Sequence, residues 1–297
     1  MKRLFILLLL CTFSTTLSQP IEKKFNFLEP SDTLIQNRKV SLLILHSVLL
    51  TSNVLVLDHH YHKGNSKTEL HFKKDINGAG MIDKYAHGFF SYQFTRLSNE
   101  SLIWSGTNKN TSLIISNVFG ISMLTVKEIL DGVSENSGWS WYDFSSNFIG
   151  AGLYTGQQLL WKKQRIQPKF SYNDSRLDNY LTQNNTDLSE RLLKNYEAHT
   201  YWISINLNSF LQTEFIPNWL NFSVGYSVNG YLKSKDATSI NEKYRSYFLS
   251  LDIDLTEIKT NSHFLKTLFS ILNTIKIPAP TLQFSSNKNT RAHLFYF

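Results

Sequence analysis

The sequence predicts an α+β protein: an N-terminal four-helix unit followed by a C-terminal antiparallel β-sheet region with short amphipathic helices. Three observations carry that prediction. Up to about residue 162, apolar residues come in long stretches divided by polar or glycine-containing breaks, the pattern of helices. From Pro168 onward they alternate one by one with polar residues, the pattern of strands. Hydrophobic residues make up 42% of the 297-residue chain and aromatics 14%, enough to build a core for one large or two modest domains.

Lys2 and Arg3 precede the apolar run Leu4–Leu10, and small or polar residues follow to Ser18. Residues 1–18 therefore read as a secretory signal cut near Ser18–Gln19. Cys11, the single cysteine, lies inside it. Leu8–Cys11 also has the look of a lipid-attachment box, but the cysteine sits very early and cuts the hydrophobic run short, which favours ordinary cleavage. The mature chain then has no cysteine and no disulfide, even in an oxidising compartment. Residues 19–37 are polar, are broken by Pro20 and Pro30, and read as an extended segment leading into a helical domain, residues 38–162.

The first helix of that domain is Val40–Leu57, a continuous apolar stretch whose one ionisable side chain is His46. Its 18 residues reach the lower limit for a membrane span. Ser41, Ser47, Thr51, Ser52 and Asn53 dilute it, so the sequence favours a helix buried among others. Asp58-His59-His60-Tyr61-His62 follows and reads as a solvated loop that binds metal only adventitiously. A second helix covers 83–98 and a third 112–130, ended by Gly132–Gly138. The fourth, Trp141–Trp161, carries Gly150, Gly152 and Gly156, positions at which a neighbouring helix can approach closely. Contact of 40–57 or 112–130 with lipid is the transmembrane alternative.

Residues 163–297 form the β region. Tyr201, Ile203, Ile205 and Leu207 alternate with Trp202, Ser204, Asn206 and Asn208. Leu220 to Val228 and Tyr247 to Leu255 repeat the pattern, and His293–Phe297 is strand-like again. Ser189–His199 and Ser262–Ile275 are expected to be short amphipathic helices. Aromatic-rich alternation and the terminal Phe297 resemble outer-membrane barrel strands, but such barrels need at least eight and the sequence supplies about four to six.

The polar residues of interest sit in the helical half. Asp83 and His87 are four apart and share a helix face, as do Tyr92 and Arg96. Lys127, Glu128 and Asp131 cluster on the third helix, and Ser140, Asp143 and Asn147 on the fourth. Asp83, His87, Glu128, Asp131 and Asp143 are donors that a divalent metal accepts, and three helices can aim them at one spot. Such a centre polarises water for hydrolysis. Without metal, His87 and Glu128 are the candidates for general acid–base work. The structural alternative is a buried network in which Lys84, Arg96 and Lys127 neutralise the acids, Asp143 favours the start of the fourth helix and Asn147 bonds across helices.

The net charge of +7 is spread without a dense Lys/Arg block, which argues against a nucleic-acid partner and suits an anionic membrane surface. The ordered set Asp83-Lys84-x-x-His87, Tyr92, Arg96, Lys127-Glu128-x-x-Asp131-Gly132 and Ser140-x-x-Asp143-x-x-x-Asn147-x-x-Gly150 resembles the YfiM-like family of periplasmic lipoproteins of unknown function, over roughly residues 80–160. Leu251–Thr260, Phe264–Phe269 and Lys276–Pro280 look like its longer, Bacteroidetes-type form, and the helical half is more weakly similar to VanZ-like membrane proteins. The resemblance implies an exported protein, periplasmic or outer-membrane associated, and no established reaction. Two functions follow as expectations. One is a non-enzymatic component binding a lipid headgroup or partner protein through the polar cluster. The other is a metal-assisted hydrolase of an envelope lipid or glycan phosphate.

Overall fold

Long helices come first and a six-stranded antiparallel sheet follows, in the computed structural model, which describes residues 27–59, 65–173, 195–231, 243–286 and 288–297. The signal, Cys11, His60, His62 and most of the segment 189–199 lie outside the described residues. The helices are α1 (Gln36–Leu57), α2 (Ile82–Trp104), α3 (Lys109–Gly132) and α4 (Trp141–Leu160). The Asn108 side chain caps α3 by accepting from the Thr111 N–H, and Ser140 caps α4 by accepting from Asp143.

The sheet is a meander, β1 (Ile166–Tyr172), β2 (His199–Ile205), β3 (Leu220–Asn229), β4 (Tyr244–Ile253), β5 (Ala279–Ser285) and β6 (Lys288–Tyr296), in that spatial order. A further helix, α5 (His263–Leu272), lies between β4 and β5 and is capped by Ser262. The expected helix at 189–199 is, in its described part, a 3₁₀ turn at Tyr196–Ala198, and His199 already opens β2.

The sheet carries its polarity in rows. Pro168, Ile203, Val224, Leu249, Leu282 and Ala292 are cross-strand neighbours in register across all six strands. The adjacent row is Gln167, Ser204, Ser223, Ser250, Thr281 and His293, pointing to the other face. This polar row is buried from Gln167 to Thr281 and half-buried at His293, while Val224, Leu249 and Leu282 are exposed. The polar side encloses Lys169, Asp252 and Lys276 together with the Trp202, Phe248 and Tyr296 rings. Gly225 leaves room for the Trp202 ring there, because a Cβ would come within 2.6 Å of it. Residues 274–276 cover the outer edge of β1, with Phe170 N–H donating to the Thr274 carbonyl at 3.1 Å and Lys276 N–H to the Phe170 carbonyl at 2.9 Å.

Helix α1 shares this inversion. The buried residues of α1 are Arg38 and His46, whereas Ile44, Val48 and Leu55 are exposed. Only 11% of its apolar window is buried, so the expectation of a buried helix is corrected. Dilution by Ser41, Ser47, Thr51 and Ser52 misled, because those residues are exposed; only Asn53 of the diluting set turns inward, donating to the Met123 carbonyl at 2.7 Å. Helices 36–57 and 109–132 are both long and apolar enough to cross a membrane. Helices meet sheet at Ile82, Ala86 and Phe89 of α2, which pack on Tyr201, Tyr226 and Val228.

Candidate functional site

The site is assembled where α2, α3 and α4 converge. Gly150 makes the convergence possible: its α-carbon lies against the Gly88 carbonyl of α2, with no room for a Cβ. Gly152 and Gly156 face open space, which corrects the expectation that all three serve close packing. With α4 held this near, the Ser91 hydroxyl donates to the Asn147 carbonyl at 2.7 Å, and His87 Nδ1 lies 2.9 Å from Asn147 Oδ1. An amide oxygen only accepts, so Nδ1 carries the proton and Nε2 points onward.

Onward lie the acids. Nε2 is 3.4 Å from Glu128 Oε1 and 3.9 Å from Asp83 Oδ1. Donor atoms of Asp83, His87 and Asp143 all fall within 4.8 Å of one another. Glu128 Oε2 accepts from the Ser140 N–H at 3.1 Å. Lys84 bridges Asp75 at 2.9 Å and Asp143 at 3.0 Å, and the Ser140 hydroxyl donates to Asp75 at 2.6 Å. Lys127 sits 2.8 Å from Asp131 and 3.8 Å from Glu128. Asp131 is thereby turned to Lys127 and stands apart from the close donor group. His87 Nε2 and Glu128 Oε1 are buried without an aligned hydrogen bond, and Asp143 Oδ1 has the Lys84 ion pair only.

Environment sets the charge states. Burial pushes the His87 imidazole down to about 4, so it is neutral at physiological pH. Burial, with the Asp83 charge, pushes Asp143 up to about 7. Burial alone would raise Asp83 too, but Lys127, Lys84 and the Tyr196 hydroxyl outweigh it and hold that carboxyl below its ordinary range. Burial opposes the charge on Lys84, and Asp143 and Asp75 more than offset it, leaving the ammonium above its usual value.

Two expected members lie elsewhere. Tyr92 donates to Gln164 at 3.1 Å and packs edge-on against Tyr154. Arg96 bonds Gln93 at 2.8 Å, Glu100 at 3.1 Å, Ser270 at 2.6 Å and Thr274 at 3.1 Å, tying α2 to α5 and the segment after it. The reason is angular: Tyr92 is nine residues from Asp83, which is about 180° around a helix at 3.6 residues per turn. Arg96 consequently neutralises none of the cluster acids. Conversely, Asp75 and Tyr196 belong to the site, the latter donating to Asp83 at 3.1 Å. Both come from non-periodic segments, where spacing carries no signal.

With this geometry in place, the comparison with known families is informative. Residues 69–157 match the model of a family described as "Predicted periplasmic lipoprotein (DUF2279)". That span holds every cluster residue except Tyr196. The description names a location and no activity, and the chain is accordingly an exported envelope protein, periplasmic or outer-membrane associated. The chain has no match among curated proteins or solved structures.

Proposed function

We propose that this protein is a non-enzymatic component of the outer membrane, seated in lipid by its apolar exterior and held in shape by the polar cluster. The observation that carries the reading is the inverted polarity of the uncovered faces: away from the α2 seam, sheet, α1 and α4 turn polar groups inward and leave Leu249, Leu282, Ile44, Val48, Phe148 and Ile149 exposed. In water such a surface is unfavourable by roughly 25 cal/mol per Å² of apolar area. Soluble monomers rarely expose so extended an apolar surface. The exposed aromatic strand positions Tyr247 and Phe284 suit an outer membrane, and the charge of +7 suits anionic headgroups.

Access argues for holding rather than processing. The His87, Glu128 and Asp143 side chains are 2, 1 and 3% exposed, and Asp83, at 17%, is the open side. A hydrolase needs its nucleophile and substrate to meet at the centre. Here three helices close over it, so a lipid headgroup or partner protein is engaged by the outer surface instead. The test is fractionation of cells producing the full chain. The protein is expected in the membrane pellet, resistant to carbonate washing and released by detergent. Recovery in the osmotic-shock fluid, monodisperse without detergent, overturns the proposal.

A further inference from the structure

We infer that Asp83, His87, Glu128 and Asp143 bind one first-row divalent cation of the zinc class between α2, α3 and α4. The inference is independent of where the outer surface sits. The donors are one imidazole nitrogen and three carboxylates, a set that suits zinc, manganese or ferrous ions and that a purely oxygen-seeking cation does not select.

An acidic cluster alone would not carry this. The second observation is His87: its side chain is 2% exposed, Nε2 has no aligned hydrogen bond, and it is aimed at the carboxylates. Buried polar atoms are seldom left in this state. The Asn147 amide holds the ring and places the proton on Nδ1, the arrangement in which a neighbouring group orients a metal-bound histidine. Spacing agrees as well. Four donors about 2.1 Å from a common centre stand about 3.4 Å apart in a tetrahedron. His87 Nε2 and Glu128 Oε1 are 3.4 Å apart already, Asp83 follows at 3.9 Å from the same nitrogen, and Asp83, His87 and Asp143 offer donor atoms within 4.8 Å of one another. Asp75 and Asp143 share Lys84, and Glu128 and Asp131 share Lys127. A dication at the centre joins three helices at one point.

Asn147 is a positioning residue in this scheme, and Asp83 marks the entry path. The experiment loads the full chain in detergent with Zn²⁺ alone, dialyses it, and measures metal per chain and affinity. One ion per chain is expected. His87→Ala and Asp143→Asn should each weaken binding at least tenfold, and Asn147→Leu by about 10- to 100-fold. Replacing His59, His60 and His62 together by Ala should leave the affinity unchanged, which separates this site from the histidine loop. Circular dichroism checks that each variant folds. Should His87→Ala not fold, Co²⁺ in the wild-type protein decides: visible bands of a tetrahedral ion with one nitrogen ligand support the site. Sub-stoichiometric metal, binding unaltered by the cluster variants, or binding lost with the 59–62 replacement overturns it.

Discussion

Lys84 stands between two carboxylates, 2.9 Å from Asp75 and 3.0 Å from Asp143, and is itself buried. Removing it takes the ion-pair partner from both acids in a poorly solvated place. Lys84→Met is therefore expected to destabilise the metal-free protein by about 3–5 kcal/mol. Chemical unfolding in the presence of chelator measures it, and a change below 1 kcal/mol would mean the acids are already neutral. Lys276 tells the opposite story inside the sheet. Burial draws its ammonium down to about 8, although Asp252 opposes the shift. Unfolded, the lysine keeps its proton to about 10.4, so between pH 8 and 10 the unfolded chain binds more protons and this group's contribution to stability rises with pH. Thermal melts of wild type against Lys276→Met should diverge across that window, with the wild type gaining on the order of 2–3 kcal/mol relative to the variant. Parallel melting curves would refute it.

At the level of elements, the glycines of α4 provide a contrast within one helix. Gly150→Ala inserts a Cβ into the Gly88 backbone, which cannot move aside as a side chain can, and is expected to cost about 1–3 kcal/mol or more. Gly156→Ala points into open space and should stabilise by up to about 1 kcal/mol through helix propensity. Thermal unfolding of the pair checks both signs. The seam between α2 and the sheet depends on Phe89, whose ring lies 5.6 Å from Tyr201 and 5.8 Å from Phe170. Phe89→Ala should cost about 3–5 kcal/mol. Much of this organisation is legible in the sequence. The i, i+4 spacing of Asp83 and His87 and of Asp143 and Asn147 places each pair on one face, and alternation marks the strands. What periodicity does not encode is direction. Leu249 and Ser250 alternate in the same way whichever of them is inside, so the inversion emerges only from the packed structure. Tyr92 and Arg96 show a second limit: they pair with each other at helical spacing, yet their offset from Asp83 puts them on the far side. Asp75 and Tyr196 show a third, since their place depends on turns and on contacts across long sequence separations.

Over the whole molecule, one distinction decides whether the outer face is solvent-exposed or lipid-covered. Leu249 and Leu282 are cross-strand partners on the outer face, both exposed, with Val224 and Ala292 continuing the row on either side. In water, replacing both by Lys alters stability by no more than about 0.5 kcal/mol per site, because exposed strand positions tolerate charge. Against hydrocarbon the same change costs roughly 2–4 kcal/mol per site at mid-depth. Leu249→Lys with Leu282→Lys is thus expected to shift the full chain from floating with vesicles of anionic and zwitterionic lipid to the soluble fraction, with its far-ultraviolet circular dichroism unchanged. The buried partner row supplies the control: Thr281→Val changes a residue that already faces inward and leaves flotation as it was. Were the outer row instead an interface between two copies, the double-lysine variant would lower the particle mass in solution while vesicle binding stayed put. The two readings of one apolar row are separated by which of these quantities moves.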